Sequence, residues 1–214
     1  MATPALPLRT VHVQPERLAG WLDRFAVRHG TPTEQTGADA VRFRAPDGAE
    51  ASVLLRWGPL PPGTTLLGYV ASERLVGALL ARRRAHAVGV FAGSTLLEGH
   101  HHAHYVQGRT KAGGWSQQRY ARRREHQADR SFTGAADEVA DILLPHLDSL
   151  EALVLGGDKV AVKTVLADPA FAALRALAEN TAHPLYPVPD PNKGILAGFA
   201  TTFRSVPIQL NELA

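Results

Sequence analysis

The chain has 214 residues, a formal net charge of +3 and no cysteine, so it can bury a full core as one large domain or two small ones. The missing cysteines exclude disulfides and thiolate metal sites, and no apolar run approaches the roughly 18–20 residues of a membrane-spanning helix. Residues 1–8 lack the basic start and apolar stretch of a secretory signal, so the sequence predicts a cytoplasmic protein with no membrane partner.

In chain order, Leu18, Trp21, Leu22 and Phe25 recur at helical spacing within Pro15–His29, and Gly30 can stop that helix. Val41–Arg44 and Ala51–Trp57 read as two strands joined through the turn pair Asp47-Gly48. The run Gly58–Gly63 breaks regular structure and marks a boundary. The sequence therefore predicts a small N-terminal α+β part with its linker over 1–63 and a larger domain over 64–214.

The larger domain is expected to open with a helix over Ser72–Arg84, with Leu75, Leu79 and Leu80 on one side. Strands follow at Ala87–Ala92 and Thr95–Gln107. Helical character resumes after Gly114 and lasts to about Arg130, and Ala135–Leu147 reads as a further helix. Leu150–Leu155 is a strand closed by Gly156-Gly157. Val160–Leu166 and Pro169–Glu179 read as helical, His183–Pro191 as a surface loop, and Gly194–Phe203 as a late strand or helix. Alternating strands and helices predict a mixed α/β (α+β) layer architecture, a sheet flanked by helices.

The chemically informative stretch is Gly113-Gly114-Trp115-Ser116-Gln117-Gln118-Arg119-Tyr120-Ala121-Arg122-Arg123-Arg124. Two glycines allow close approach to a ligand, and two amides offer both a donor and an acceptor. The arginines suit phosphate through bidentate guanidinium pairing. Between residues 105 and 130, Arg109, Lys111, Arg119, Arg122, Arg123, Arg124 and Arg130 stand against Glu125 and Asp129. That local excess exceeds the charge of the whole chain, so the remainder is slightly acidic, and focused charge steers an anionic partner.

Other constellations point less far. Gly114–Gln118 lacks the second glycine of a nucleophile elbow. His100, His102 and His104 share one face of a strand, but no acidic residue adjoins them in sequence, and the run reads as a polar, partly exposed strand. Gly156-Gly157-Asp158-Lys159 lacks the ending of a phosphate loop and reads as a structural turn. Asp137, Glu138 and Asp141 read as an exposed helix face. No acidic cluster supports a nuclease, and no metal or other cofactor is expected.

The order Gly113-Gly114, Ser116, Arg119, Tyr120, Ala121, Arg122, Arg124 resembles the catalytic domain of the eukaryotic and archaeal peptide-chain release factors, where a Gly-Gly-Gln loop precedes a helix of the form Arg-aromatic-Ala-Arg-x-Arg. Leu153–Thr164 resembles a later strand, glycine turn and Lys-Thr pair of that domain, and Tyr105–Thr110 is similar to its approach to the glycine loop. Over residues 70–205 the chain most resembles the bacterial VLRF-type release-factor domain. This resemblance implies a release-factor-like mixed sheet flanked by helices. It also implies hydrolysis of the peptide–tRNA ester on ribosome-bound nascent chains, in ribosome rescue and quality control. In the family register a glutamine directly follows the glycine pair, whereas Trp115 stands here. Gln117 is then the first candidate for the catalytic amide and Gln118 the second, with Gly113 and Gly114 shaping the loop. Arg109, Lys111, Arg119, Arg122, Arg123 and Arg124 would hold RNA phosphates. The implied partners are the large ribosomal subunit, its rRNA and peptidyl-tRNA, met by a monomer. A non-catalytic ribosome- or RNA-binding adaptor on the same fold is the alternative.

Overall fold

The computed structural model describes residues 9–103 and 132–214. Among the described residues the strands form two sheets, and the chain falls into two compact units, 1–73 with 201–214, and 74–200.

The first unit contains β1 (Arg9–Val13), α1 (Leu18–His29), β2 (Thr33–Thr36), β3 (Ala40–Arg44), β4 (Glu50–Leu54), α2 (Leu66–Ala71) and the last strand, β9 (Val206–Leu210). Its antiparallel sheet has the order β1-β9-β4-β3-β2. The expected helix begins as a 3-10 turn at Pro15–Arg17, and the α1 proper is closed by the Gly30 N–H donating to the Ala26 carbonyl at 2.9 Å. Leu18 and Phe25 of α1 pack with Val41, Phe43, Val53, Tyr69 and Ile208 in one core. The expected hairpin is present, but β4 ends at Leu54 rather than Trp57. Because β9 is inserted between β1 and β4, residues 201–214 fall with the first unit. A cut at residue 63 puts them, and α2, in the other part.

The second unit contains β5 (Leu75–Arg82), β6 (Ala85–Ala92), β7 (Thr95–Ala103), α3 (residues 132–143), β8 (Ala152–Gly157), α4 (Lys159–Val165), α5 (Ala172–Glu179) and most of α6 (Lys193–Phe203). The sheet order is β7-β6-β5-β8, antiparallel except where β8 runs parallel to β5. Residues 72–84 are thus not a helix. Val76 to Ala81 are all buried, and a central strand covered on both faces is an unbroken apolar run that periodicity does not separate from a helix.

Helices cover both faces. On one, Ala135, Val139 and Leu143 of α3, Val162 and Val165 of α4, and Leu174 of α5 pack against Leu79, Val88, Val90 and Leu153. On the other, Leu196 of α6 approaches so closely that a Cβ on Gly99 would sit 2.8 Å from its Cδ2, and one on Gly89 would sit 3.3 Å from its Cδ1. The facing glycine pair, joined across β6 and β7, is what lets α6 pack down. The Pro-rich stretch is more than a surface loop. Tyr186 is buried, its N–H donates to the Leu155 carbonyl and its own carbonyl accepts from Gly157 N–H, both at 2.9 Å. Among the described residues no helix is long and apolar enough to cross a membrane.

Candidate functional site

Gly113, Gly114, Gln117, Gln118, Arg109, Lys111, Arg119, Arg122, Arg123 and Arg124 all lie outside the described residues. What the structure gives is the frame from which that stretch departs and to which it returns. β7 ends at Ala103, paired with Ala85 at the start of β6, and α3 begins at residue 132.

β7 is an edge strand, and its alternation puts Glu98, His100 and His102 opposite Val90, Val88 and His86 of β6. Val88 and Val90 belong to the core beneath α3, so this row of β7 lies on the α3 side. A polar seam joins the two. The Glu138 carboxylate of α3 sits 2.5 Å from His100 Nδ1 and 2.9 Å from His86 Nε2. The His86 ring stacks on His102 with centroids 5.7 Å apart. One step further along, His146 Nε2 is 3.4 Å from Glu98 Oε2.

One expectation changes here. Glu138 is not part of an exposed helix face, since its side chain is only 18 % exposed, whereas Asp137 and Asp141 are both exposed, as expected. Its position on the Ala135–Val139–Ile142 side of α3 turns it toward the sheet. His100 and His102 do lie on a polar, exposed strand, and each also has a partner in the seam. His86 is the residue that sequence reasoning does not single out. Its side chain is 3 % exposed, and the available signal is a histidine alternating with valines in an apolar strand, which obliges a buried partner. The Glu138 oxygen facing His86 is close but poorly aligned for a hydrogen bond, so the contact is electrostatic more than directional. Among the described residues no group of three or more His, Asp or Glu side chains is arranged to hold a metal ion.

The second sheet also carries the Gly156–Lys159 turn. Gly157 has φ +103°, and a Cβ there would collide with the Ala81 carbonyl oxygen. Asp158 is the N-cap of α4, accepting from Val160 N–H at 2.8 Å and Ala161 N–H at 3.1 Å. These bonds occupy the amides that a phosphate loop would offer to a ligand, so the turn is structural, as its sequence predicts.

A family profile described as "acVLRF1: Actinobacteria/chloroflexi VLRF1 release factor" matches residues 74–209. No curated protein matches the chain. Among solved structures, an archaeal translation termination factor, aRF1, superposes with a TM-score of 0.42 at 13 % identity, over 95 % of this chain and 68 % of that one. A second, described simply as "Archaeal protein", gives 0.40 at 11 % identity over the same shares. These two likenesses are too distant to carry residue roles. The family match takes in the whole second sheet, the polar seam and, in sequence, the glycine–glutamine–arginine stretch. The chain therefore belongs to the acVLRF1 family of release factors, a family whose role lies in translation.

Proposed function

We propose that this protein hydrolyses the ester joining a nascent peptide to the 3′ end of tRNA on the large ribosomal subunit, as a rescue and quality-control factor. The observation that carries the reading is the run from Gly113 to Arg124, which lies within the part of the chain that matches the release-factor family. Ester hydrolysis is downhill but slow, so placing a water within reach of the carbonyl supplies much of the acceleration. A glutamine amide has no useful pKa and is not a general base. In this reading Gln117, or Gln118 in its stead, orients the attacking water, and its N–H donors stabilise the charge that develops on the reacting oxygens. Gly113 and Gly114 let the backbone pass between packed nucleotides. Arg109, Lys111, Arg119, Arg122, Arg123 and Arg124 hold RNA phosphates, and the proton needed by the leaving 3′ hydroxyl comes from water. The protein acts as a cytoplasmic monomer without a cofactor.

One feature favours a second reading, a ribosome-binding adaptor without hydrolysis: Trp115 occupies the place where the release-factor register has glutamine. Purified ribosome–nascent-chain complexes carrying labelled peptide separate the two. The hydrolase frees the peptide from tRNA in a single turnover, whereas the adaptor binds the same complexes and leaves the ester intact.

A further inference from the structure

We propose that the tip of the β5–β6 hairpin, with the exposed side of α4, is an RNA-backbone docking surface in which Arg83, Arg84, Lys159 and Lys163 pair with phosphates. The proposal rests on the ribosomal reading above and adds a surface that the arginine-rich sequence run does not include.

β5 ends at Arg82 and β6 starts at Ala85, so Arg83 and Arg84 are the two residues of a tight turn. Such turns ordinarily favour glycine, asparagine or aspartate, which accept positive φ. Here neither residue has positive φ, and the arginine pair is not explained by the geometry of the turn. Both side chains are exposed. Arg82 instead folds back, donating from Nη1 to the Val188 carbonyl at 3.1 Å, with Nε 3.5 Å from Asp190 Oδ1. Asp190 is thereby engaged by Arg82, and neither Arg83 nor Arg84 forms an ion pair or hydrogen bond with a described residue.

α4 brings two more cations to the same end of the sheet. Ala81 is in register with Gly157, and the Asp158 N–H donates to the Ala81 carbonyl at 2.8 Å. The helix therefore starts beside the hairpin tip. Lys159 and Lys163 are one helical turn apart and both exposed. The Asp158 carboxylate is turned into its own helix start. Ala85, the first residue after the tip, pairs with Ala103, the last described residue before the glycine–glutamine stretch. Adjacent guanidinium forks suit successive phosphates on one strand better than scattered carboxylates, and this favours RNA as the occupant.

The test compares the parent with Arg83→Ala/Arg84→Ala, Arg83→Lys/Arg84→Lys and Lys159→Ala/Lys163→Ala. Binding is measured across a salt series to purified large ribosomal subunits, to deacylated tRNA and to polyglutamate. The arginine-to-alanine pair is expected to weaken binding to at least one RNA probe and to flatten its log–log salt dependence by about 1.5, at roughly 0.7–0.9 for each phosphate no longer neutralised. The Lys159→Ala/Lys163→Ala pair should flatten it in the same direction, and the arginine-to-lysine pair should keep most of the slope. Which RNA probe responds identifies the source of the phosphates. An unchanged slope on both RNA probes in a folded Arg83→Ala/Arg84→Ala variant overturns the proposal, as does an equal effect on polyglutamate. Peptide release by the parent is scored separately. Release with an unchanged slope overturns the docking surface alone, and a flattened slope without release overturns the hydrolytic reading while upholding this surface.

Discussion

Replacing Glu138 with alanine tests whether the polar seam holds α3 to the edge of the second sheet. The carboxylate touches two imidazoles whose surroundings differ. His100 is 59 % exposed, so its contact is screened and is worth at most about 0.5 kcal/mol. His86 is 3 % exposed, and removing the carboxylate beside a buried polar ring costs about 1–3 kcal/mol. The misalignment of that contact argues for the middle of the range. Glu138→Ala should therefore destabilise the protein by about 2 kcal/mol, and at roughly 2–4 °C per kcal/mol for a chain of this size its melting transition should fall by about 4–8 °C. Glu138→Gln keeps the shape and one acceptor and should fall by about half as much. His100→Ala should lie within about 1–2 °C of the parent. Calorimetry gives the shifts, and hydrogen exchange at β6 and β7 amides shows whether the loss is local to the seam. A Glu138→Ala variant that melts with the parent, or a His100→Ala variant as destabilised as Glu138→Ala, would refute the assignment of the energy to His86.

Gly157→Ala meets both a positive φ and the Ala81 carbonyl, and should lose several kcal/mol by denaturant titration. Asp158→Ala, which only uncaps α4, should lose about 1 kcal/mol. The Asp47 carboxyl is held below its ordinary range first by the Ala49 N–H and then by His29. Its contribution is thus present above the ordinary aspartate pKa of about 4 and is lost as pH falls through the lowered value. Melting curves from neutral to strongly acidic pH should show Asp47→Asn losing part of the acid sensitivity of the parent. Replacing Arg122, Arg123 and Arg124 together should weaken ribosome binding and reduce its salt slope by roughly 0.7–0.9 for each phosphate that goes unpaired, with the melting temperature kept within a few degrees.

Local signals in the sequence are sufficient where one segment decides its own state. The amphipathic spacing of α1, the Asp47-Gly48 turn, and the strand–glycine–Asp158 junction before α4 depend on neighbours in sequence, and the structure has all three. Sequence and structure part where distant segments decide. Leu75, Leu79 and Leu80 fit a helix by spacing, yet burial between two helical layers makes them a strand. β9 has no local mark that sends it to the N-terminal sheet, because its partners β1 and β4 lie more than 150 residues away in sequence. Glu138 reads as one of three equivalent acids until α3 is set over β7, and of the three only Glu138 pairs with the histidines. The glycine–glutamine–arginine stretch is read from residue order alone, and it lies outside the described residues. The polar seam is not legible in the sequence, since it joins His86, His100 and Glu138 across three elements.

In the proposed mechanism a glutamine amide of this stretch acts on the ester in the transition state. That role is tested most directly by single-turnover release of labelled peptide from purified ribosome–nascent-chain complexes at saturating protein, comparing the parent with Gln117→Ala, Gln118→Ala and the double variant, with binding measured in parallel. An interaction made only in the transition state raises the release rate without strengthening association. Gln117→Ala is expected to abolish release with binding largely intact, and Gln118→Ala to be milder. Full release by the double variant would contradict that mechanism.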